Sequence, residues 1–136
     1  MSQVASIQFL KCAAIYNAVW GVVAIVTPKR LGRWLGFPAT GDGMGWRAAG
    51  VVVLAFSPAY LWASAHLPEA RPILATAMFG KTIGAVGWIA GLATGRFPLR
   101  TAPLPLLNDL VWLPGLWRLL RTAGSRSIPP SPRRGR

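Results

Sequence analysis

The sequence predicts an all-α protein, an integral membrane four-helix bundle with a short interfacial helix between its first and second helices. Three observations carry this. Four apolar segments, at about 7–27, 48–66, 73–93 and 102–120, each approach the roughly 20 residues that a membrane-crossing helix needs. Of the 136 residues, 53% are hydrophobic and only 13% charged, and mean hydropathy is +0.43; a soluble domain carries about 25% charged residues. The third observation is where the charge sits, because Lys and Arg flank the apolar runs instead of lining one soluble face. No alternating pattern supports a barrel, which leaves closed helices as the spanning solution. A transmembrane domain, 1–121, is followed by a basic Pro/Arg-rich tail, 122–136.

The first segment, Ile7 to Thr27, is interrupted by Lys11 and Asn17 and stopped by Pro28-Lys29-Arg30. It lacks the basic start of a secretory signal and has no small-x-small site before Pro28, so it is expected to be retained. In the connection that follows, Leu31, Trp34, Leu35 and Phe37 group along one helical side with Arg30 and Arg33 beside them. This predicts a short helix lying on lipid headgroups, followed by a glycine-rich turn at 41–45. The alternative is a loop with lipid-facing aromatics.

The second segment, Ala48 to His66, holds no charge unless His66 is protonated, and Leu67 to Pro72 makes a tight hairpin to the third. The third, Ile73 to Ala93, holds one charge, Lys81, and four glycines: Gly80, Gly84, Gly87 and Gly91. Pairs four residues apart let two membrane helices approach closely, so this helix is expected to be a packing face. The fourth segment is the weakest, with Asn108, Asp109, three prolines and Arg118. The tail, with Arg126, Arg133, Arg134 and Arg136, has almost nothing to bury and is expected to contact lipid headgroups or an acidic partner. Four crossings put both termini and the short hairpin on one side, with seven cations there against six on the other. The concentration in the tail assigns the termini to the cytoplasm.

Composition excludes several functions. The formal charge of +12 and pI near 11.9 invite a nucleic-acid reading, which the dispersal of the cations opposes. One cysteine, Cys12, makes no dithiol, and one histidine, His66, anchors no conventional zinc site. Asp42, Glu69 and Asp109 are the only acids. No catalytic residues and no cofactor are evident. Phe79-Gly-Lys-Thr82 imitates the end of a phosphate-binding loop, but Ala75 stands where its first glycine belongs and no strand precedes it.

The informative pair is Lys81 and Asp109. A charge near the bilayer centre costs about 2.5–3.5 kcal/mol on insertion scales, which a partner offsets. Counted back from the shared end of segments three and four, Lys81 lies roughly 18 Å deep and Asp109 roughly 10 Å. An extended lysine spans that gap. The pair is either a proton or ligand site or an ion pair fixing helix register. Tyr16, Asn17, Tyr60 and Asn108 add polar atoms at membrane depth.

Three stretches carry a family resemblance: Ile15-Tyr-Asn-Ala-Val-Trp-Gly21 running to Pro28, Gly80-Lys-Thr-Ile-Gly-Ala-Val-Gly87, and Asn108-Asp-Leu-Val-Trp-Leu-Pro114. Together they resemble small bacterial four-helix membrane proteins with an Asn-Asp-Leu-x-Trp fourth helix, similar in layout to DoxX-like proteins. The resemblance covers residues 7–120, implies the four-helix fold and marks Lys81, Asn108 and Asp109. Some such proteins are called alkyl hydroperoxide reductases, a thiol chemistry that needs an activated cysteine and usually a resolving one. Cys12 stands alone. The resemblance transfers no activity.

The expectation for function is therefore a non-catalytic accessory or structural subunit packing into a larger complex, of respiratory or photosynthetic type, in a bacterial inner membrane. Its expected partners are membrane lipids and other membrane subunits, with a homo-oligomer as a further arrangement and nucleic acid disfavoured. The alternatives are a small enzyme or carrier for a hydrophobic molecule such as a quinone, with lipid or quinone bound, and a proton-coupled transporter acting as an oligomer.

Overall fold

A computed structural model describes residues 2–37 and 43–123. Helix α1 covers Gln3–Val26, α2 Pro28–Leu35, α3 Met44–Ala65, α4 Arg71–Ala93 and α5 Leu113–Ala123. Between α4 and α5 lie a 3-10 turn at Leu99–Thr101, a π turn at Pro105–Asp109 and a second 3-10 turn at Leu110–Trp112. There is no strand among the described residues. Three helices, α1, α3 and α4, are long and apolar enough to cross a membrane. At 24, 22 and 23 residues they reach roughly 33–36 Å, against a hydrocarbon core of about 30 Å.

Local chemistry sets the ends. Ser2 caps α1, its Oγ accepting the Ala5 N–H at 3.2 Å. At the other end Pro28 has no N–H to continue the ladder and instead occupies the first turn of α2. Helix α2 stops at Gly36, whose φ of +87° is the left-handed conformation that glycine adopts at least cost. The Gly36 and Phe37 N–H groups then turn back onto the Arg33 and Gly32 carbonyls. Pro72 opens α4 in the same way that Pro28 opens α2.

The fourth segment departs from expectation. Instead of one uninterrupted α-helix over 102–120, an α turn at 103–104 runs into a π turn and then a 3-10 turn before the regular helix Leu113–Ala123. Pro105 opens the π turn, where its missing N–H is tolerated, whereas Pro114 has no N–H to give the Leu110 carbonyl four residues back, so an uninterrupted α ladder cannot form there and Leu110 is bonded by Leu113 instead.

Helices α1 and α3 make the most extensive packing among the described residues, and their backbones approach closely at Gly21 and Gly50. A Cβ placed on Gly21 would lie 2.8 Å from the Gly50 carbonyl oxygen, and one on Gly50 would lie 2.8 Å from that of Gly21. Glycine at both positions is what permits the approach. One core joins Leu10 and Ala14 of α1, Tyr60 and Ala63 of α3, Leu74 and Ala77 of α4, and Leu116 and Leu119 of α5. A smaller one collects Ala24, Leu31 and Leu35 with Trp20, Phe37, Trp46 and Leu104.

Gln3, Leu67, Pro68 and Thr122 line one recess, so the start of α1, the α3–α4 hairpin and the end of α5 share one end of the molecule. At the opposite end Arg100 donates to the Arg33 carbonyl at 3.2 Å. The short helix after α1 is present, but its faces differ from the sequence reading. Leu31 and Leu35 turn inward onto the smaller core, whereas Trp34 is 72% exposed beside exposed Arg30 and Arg33. Buried packing takes the two leucines and leaves the tryptophan outside. Part of the glycine-rich turn and the basic tail, with Arg126, Arg133, Arg134 and Arg136, lie outside the described residues.

Candidate functional site

Lys81 projects from the middle of α4 to the place where the fourth segment abandons α geometry. Its Nζ donates to the Asn108 main-chain oxygen at 2.6 Å and lies 3.5 Å from Asp109 Oδ1. The two charged side chains are each 11% exposed. Asn108 Nδ2 donates to the same Asp109 Oδ1 at 3.0 Å. One carboxylate oxygen thus receives both an ammonium and an amide, which holds the π turn against α4. The backbone changes register here: the Leu110 N–H reaches the Leu106 and Pro105 carbonyls, whereas the Leu113 N–H reaches Leu110. Such π turns occur mostly as single turns and often at functional positions.

Gly84 completes this contact. A Cβ at position 84 would stand 3.2 Å from Asp109 Oδ2, so the missing side chain makes the place in which the carboxylate rests. Asn17 of α1 and Tyr60 of α3, both buried, join Lys81, Asn108 and Asp109 around a cavity of about 100 Å³ whose remaining wall includes Val52, Val53, Phe56, Ala77 and Gly80. All three spanning helices therefore contribute to it. Asn108 Oδ1 is the one buried side-chain oxygen or nitrogen among the described residues with no hydrogen-bond partner.

The other residues singled out from sequence lie in different places. Tyr16 packs its ring at a tilt against Trp112, 5.3 Å between centroids, and is not on the cavity wall. Of the four α4 glycines, Gly84 accommodates Asp109, Gly91 accommodates the Phe97 ring, Gly80 has only Phe56 Cζ at 3.9 Å, and Gly87 has nothing within 4 Å. Within the chain none of them brings a second helix backbone close, a role that Gly21 and Gly50 fill. Arg30, Arg33 and Trp34 stand exposed on α2 and none of them lines the cavity. Cys12 is free and exposed on α1.

Sequence reading missed two features. The Gly21–Gly50 approach joins glycines of different segments, which no single-helix spacing reveals. The second is a cluster of Phe37, Trp46, Trp88 and Phe97, with Trp88 and Phe97 centroids 4.7 Å apart and Trp46 and Trp88 6.1 Å apart. The Trp88 indole donates to buried Thr101 at 3.2 Å. Abundant aromatics near the ends of apolar runs were the only signal for it.

Chemically, the site offers an ammonium, a carboxylate, an amide and a phenol in a low-dielectric enclosure. It can share a proton or hold a polar head. No group of three His, Cys, Asp or Glu side chains gathers as metal ligands among the described residues. Comparison of the chain with protein-family models, curated proteins and solved structures finds no match.

Proposed function

We propose that the chain is a non-catalytic accessory subunit of a larger assembly in a bacterial inner membrane, a four-helix bundle of DoxX-like layout with both termini cytoplasmic. One observation supports this most: the outer face of α4 is left uncovered and carries small residues. Only 22% of the most apolar stretch of α4 is buried within the chain, against 33% for α1. Gly87 on that face has open space around it, between exposed Ile83, Val86 and Ile89. Small residues beside apolar ones are how membrane helices admit a neighbouring helix. On this reading the Lys81–Asp109 pair is internal scaffolding that sets the broken fourth segment against α4 and so leaves the opposite α4 face free. The exposed Arg30, Arg33 and Trp34 meet headgroups, and the arginines of the tail meet anionic lipid or an acidic subunit surface.

Native mass spectrometry after gentle solubilisation tests the reading. Co-purification with other membrane subunits is expected, weakened by Gly87→Leu and by truncation after Thr122. A lone monomer, or a homo-oligomer indifferent to both changes, would overturn it.

A further inference from the structure

We propose that the cavity beside Lys81, Asn108 and Asp109 is a binding site for an uncharged, membrane-dissolved molecule with a hydroxyl head. The site is complete within one chain, so this does not depend on the partner proposed above. Depth comes first. Lys81 is ten residues from Arg71 and twelve from Ala93, close to the middle of α4, roughly 15 Å from one end and 18 Å from the other. Whatever occupies the cavity reaches it through the hydrocarbon layer. The wall agrees, because α3 and α4 touch only lightly and the rim between them is apolar, with Val52 60% exposed and Gly80 also exposed.

Charge and valence then select the head. The Lys81 ammonium and Asp109 carboxylate already offset one another at 3.5 Å. A charged head would arrive without a counter-charge in a low dielectric, so a neutral one is favoured. Asp109 Oδ1 is occupied by Lys81 and by the Asn108 amide, and Asn108 Oδ1 is closed even to water, so the side chain open to an incoming head is that of Asn17, 3% exposed on the same wall and without a hydrogen bond among the described residues. A buried amide oxygen left unpaired is costly, and a hydroxyl supplies the missing donor. The same hydroxyl oxygen can accept from the ammonium, which has three N–H groups and two acceptors within the chain. A ketone or ether head would supply no donor. Size limits the rest: about 100 Å³ is well below the ~300 Å³ at which enclosed ligand pockets begin, so the head enters and the tail stays among the lipids.

The test uses the intact protein in phosphatidylcholine nanodiscs, titrated with hexadecanol, 4-dodecylphenol and the methyl ether of each. Thermal unfolding and native mass spectrometry are the readouts. A saturable rise in unfolding midpoint with either hydroxyl compound, at least tenfold weaker with its ether, is expected. Gly80→Leu should abolish the response by filling the rim, since a Cβ there meets only Phe56 Cζ. Gly87→Leu, on the same helix with open space, should leave it intact. Equal responses to hydroxyl and ether, a response that survives Gly80→Leu, or no response from the folded protein would each overturn the proposal, the last leaving a cavity that holds water only.

Discussion

Lys81 Nζ lies 2.6 Å from the carbonyl oxygen of Asn108, 27 residues away, so that one ammonium is hydrogen-bonded to the backbone of a π turn in the next helical segment. The turn and the lysine explain each other. Pro114 has no N–H to carry the α ladder across Leu110, and the distorted backbone before it presents Asn108 and Asp109 side by side to α4. In hydrocarbon such a distortion persists only where neighbouring groups satisfy it. Lys81 provides that on one side and Gly84 provides the space on the other.

The close backbone approach of α1 and α3 should tolerate no added side chain. Gly21→Leu would drive a side chain into the Gly50 carbonyl, backbone that cannot move aside without separating α1 from α3. Overpacking of this kind costs about 1–3 kcal/mol or more. Unfolding of the reconstituted protein in bicelles should show a loss in that range, and an unchanged midpoint would mean that the helices do not cross at these glycines.

Two glycines three residues apart on α4 should behave differently. Gly84→Leu places its side chain where Asp109 Oδ2 sits, so it should destabilise the isolated chain. Gly87→Leu meets nothing, and its effect on the isolated chain should stay within about 0.5 kcal/mol. Comparing the two separates intramolecular strain from loss of a partner. Equal destabilisation by both would contradict the placement of the carboxylate over Gly84.

Because Gln3, Pro68 and Thr122 line one recess, both ends of the described chain and the α3–α4 hairpin belong to one side. Compartment-sensitive reporters fused before Ser2 and after Ala123 should report the same side, and one inserted at Gly43 the other. Opposite signals from the two terminal fusions would mean that the fourth segment does not return across the bilayer.

The degree to which the fold was legible follows the physics of each element. Three long apolar runs gave their helices to within a few residues, because in hydrocarbon an unbroken apolar stretch has only the helix as a way to pair its backbone. Segment four carried the weakest apolar signal, broken by Asn108, Asp109 and three prolines, and a hydropathy pattern does not register a π turn. Lys81 and Asp109 were conspicuous as charges inside apolar runs, and depth alone brought them within reach. Gly84 was read as a helix-packing position, and what it packs against is the Asp109 carboxylate of the fourth segment. The Phe37–Trp46–Trp88–Phe97 cluster was hidden for a related reason: its rings come from α3, α4 and two connecting segments, and only the tertiary fold assembles them.

The central claim is that Lys81 and Asp109 act as one internal unit, and a thermodynamic cycle measures this most directly. Lys81→Met leaves the carboxylate with only the Asn108 amide, and Asp109→Asn leaves the ammonium with only the Asn108 carbonyl. Each single change should cost about 3 kcal/mol or more, because it strands a charge that is 11% exposed. The double change should then cost less than the sum of the two by about 1 kcal/mol or more. That recovery, read from unfolding of all four proteins in the same bicelles, is the predicted result; losses that add strictly would contradict the account and leave two independent charges.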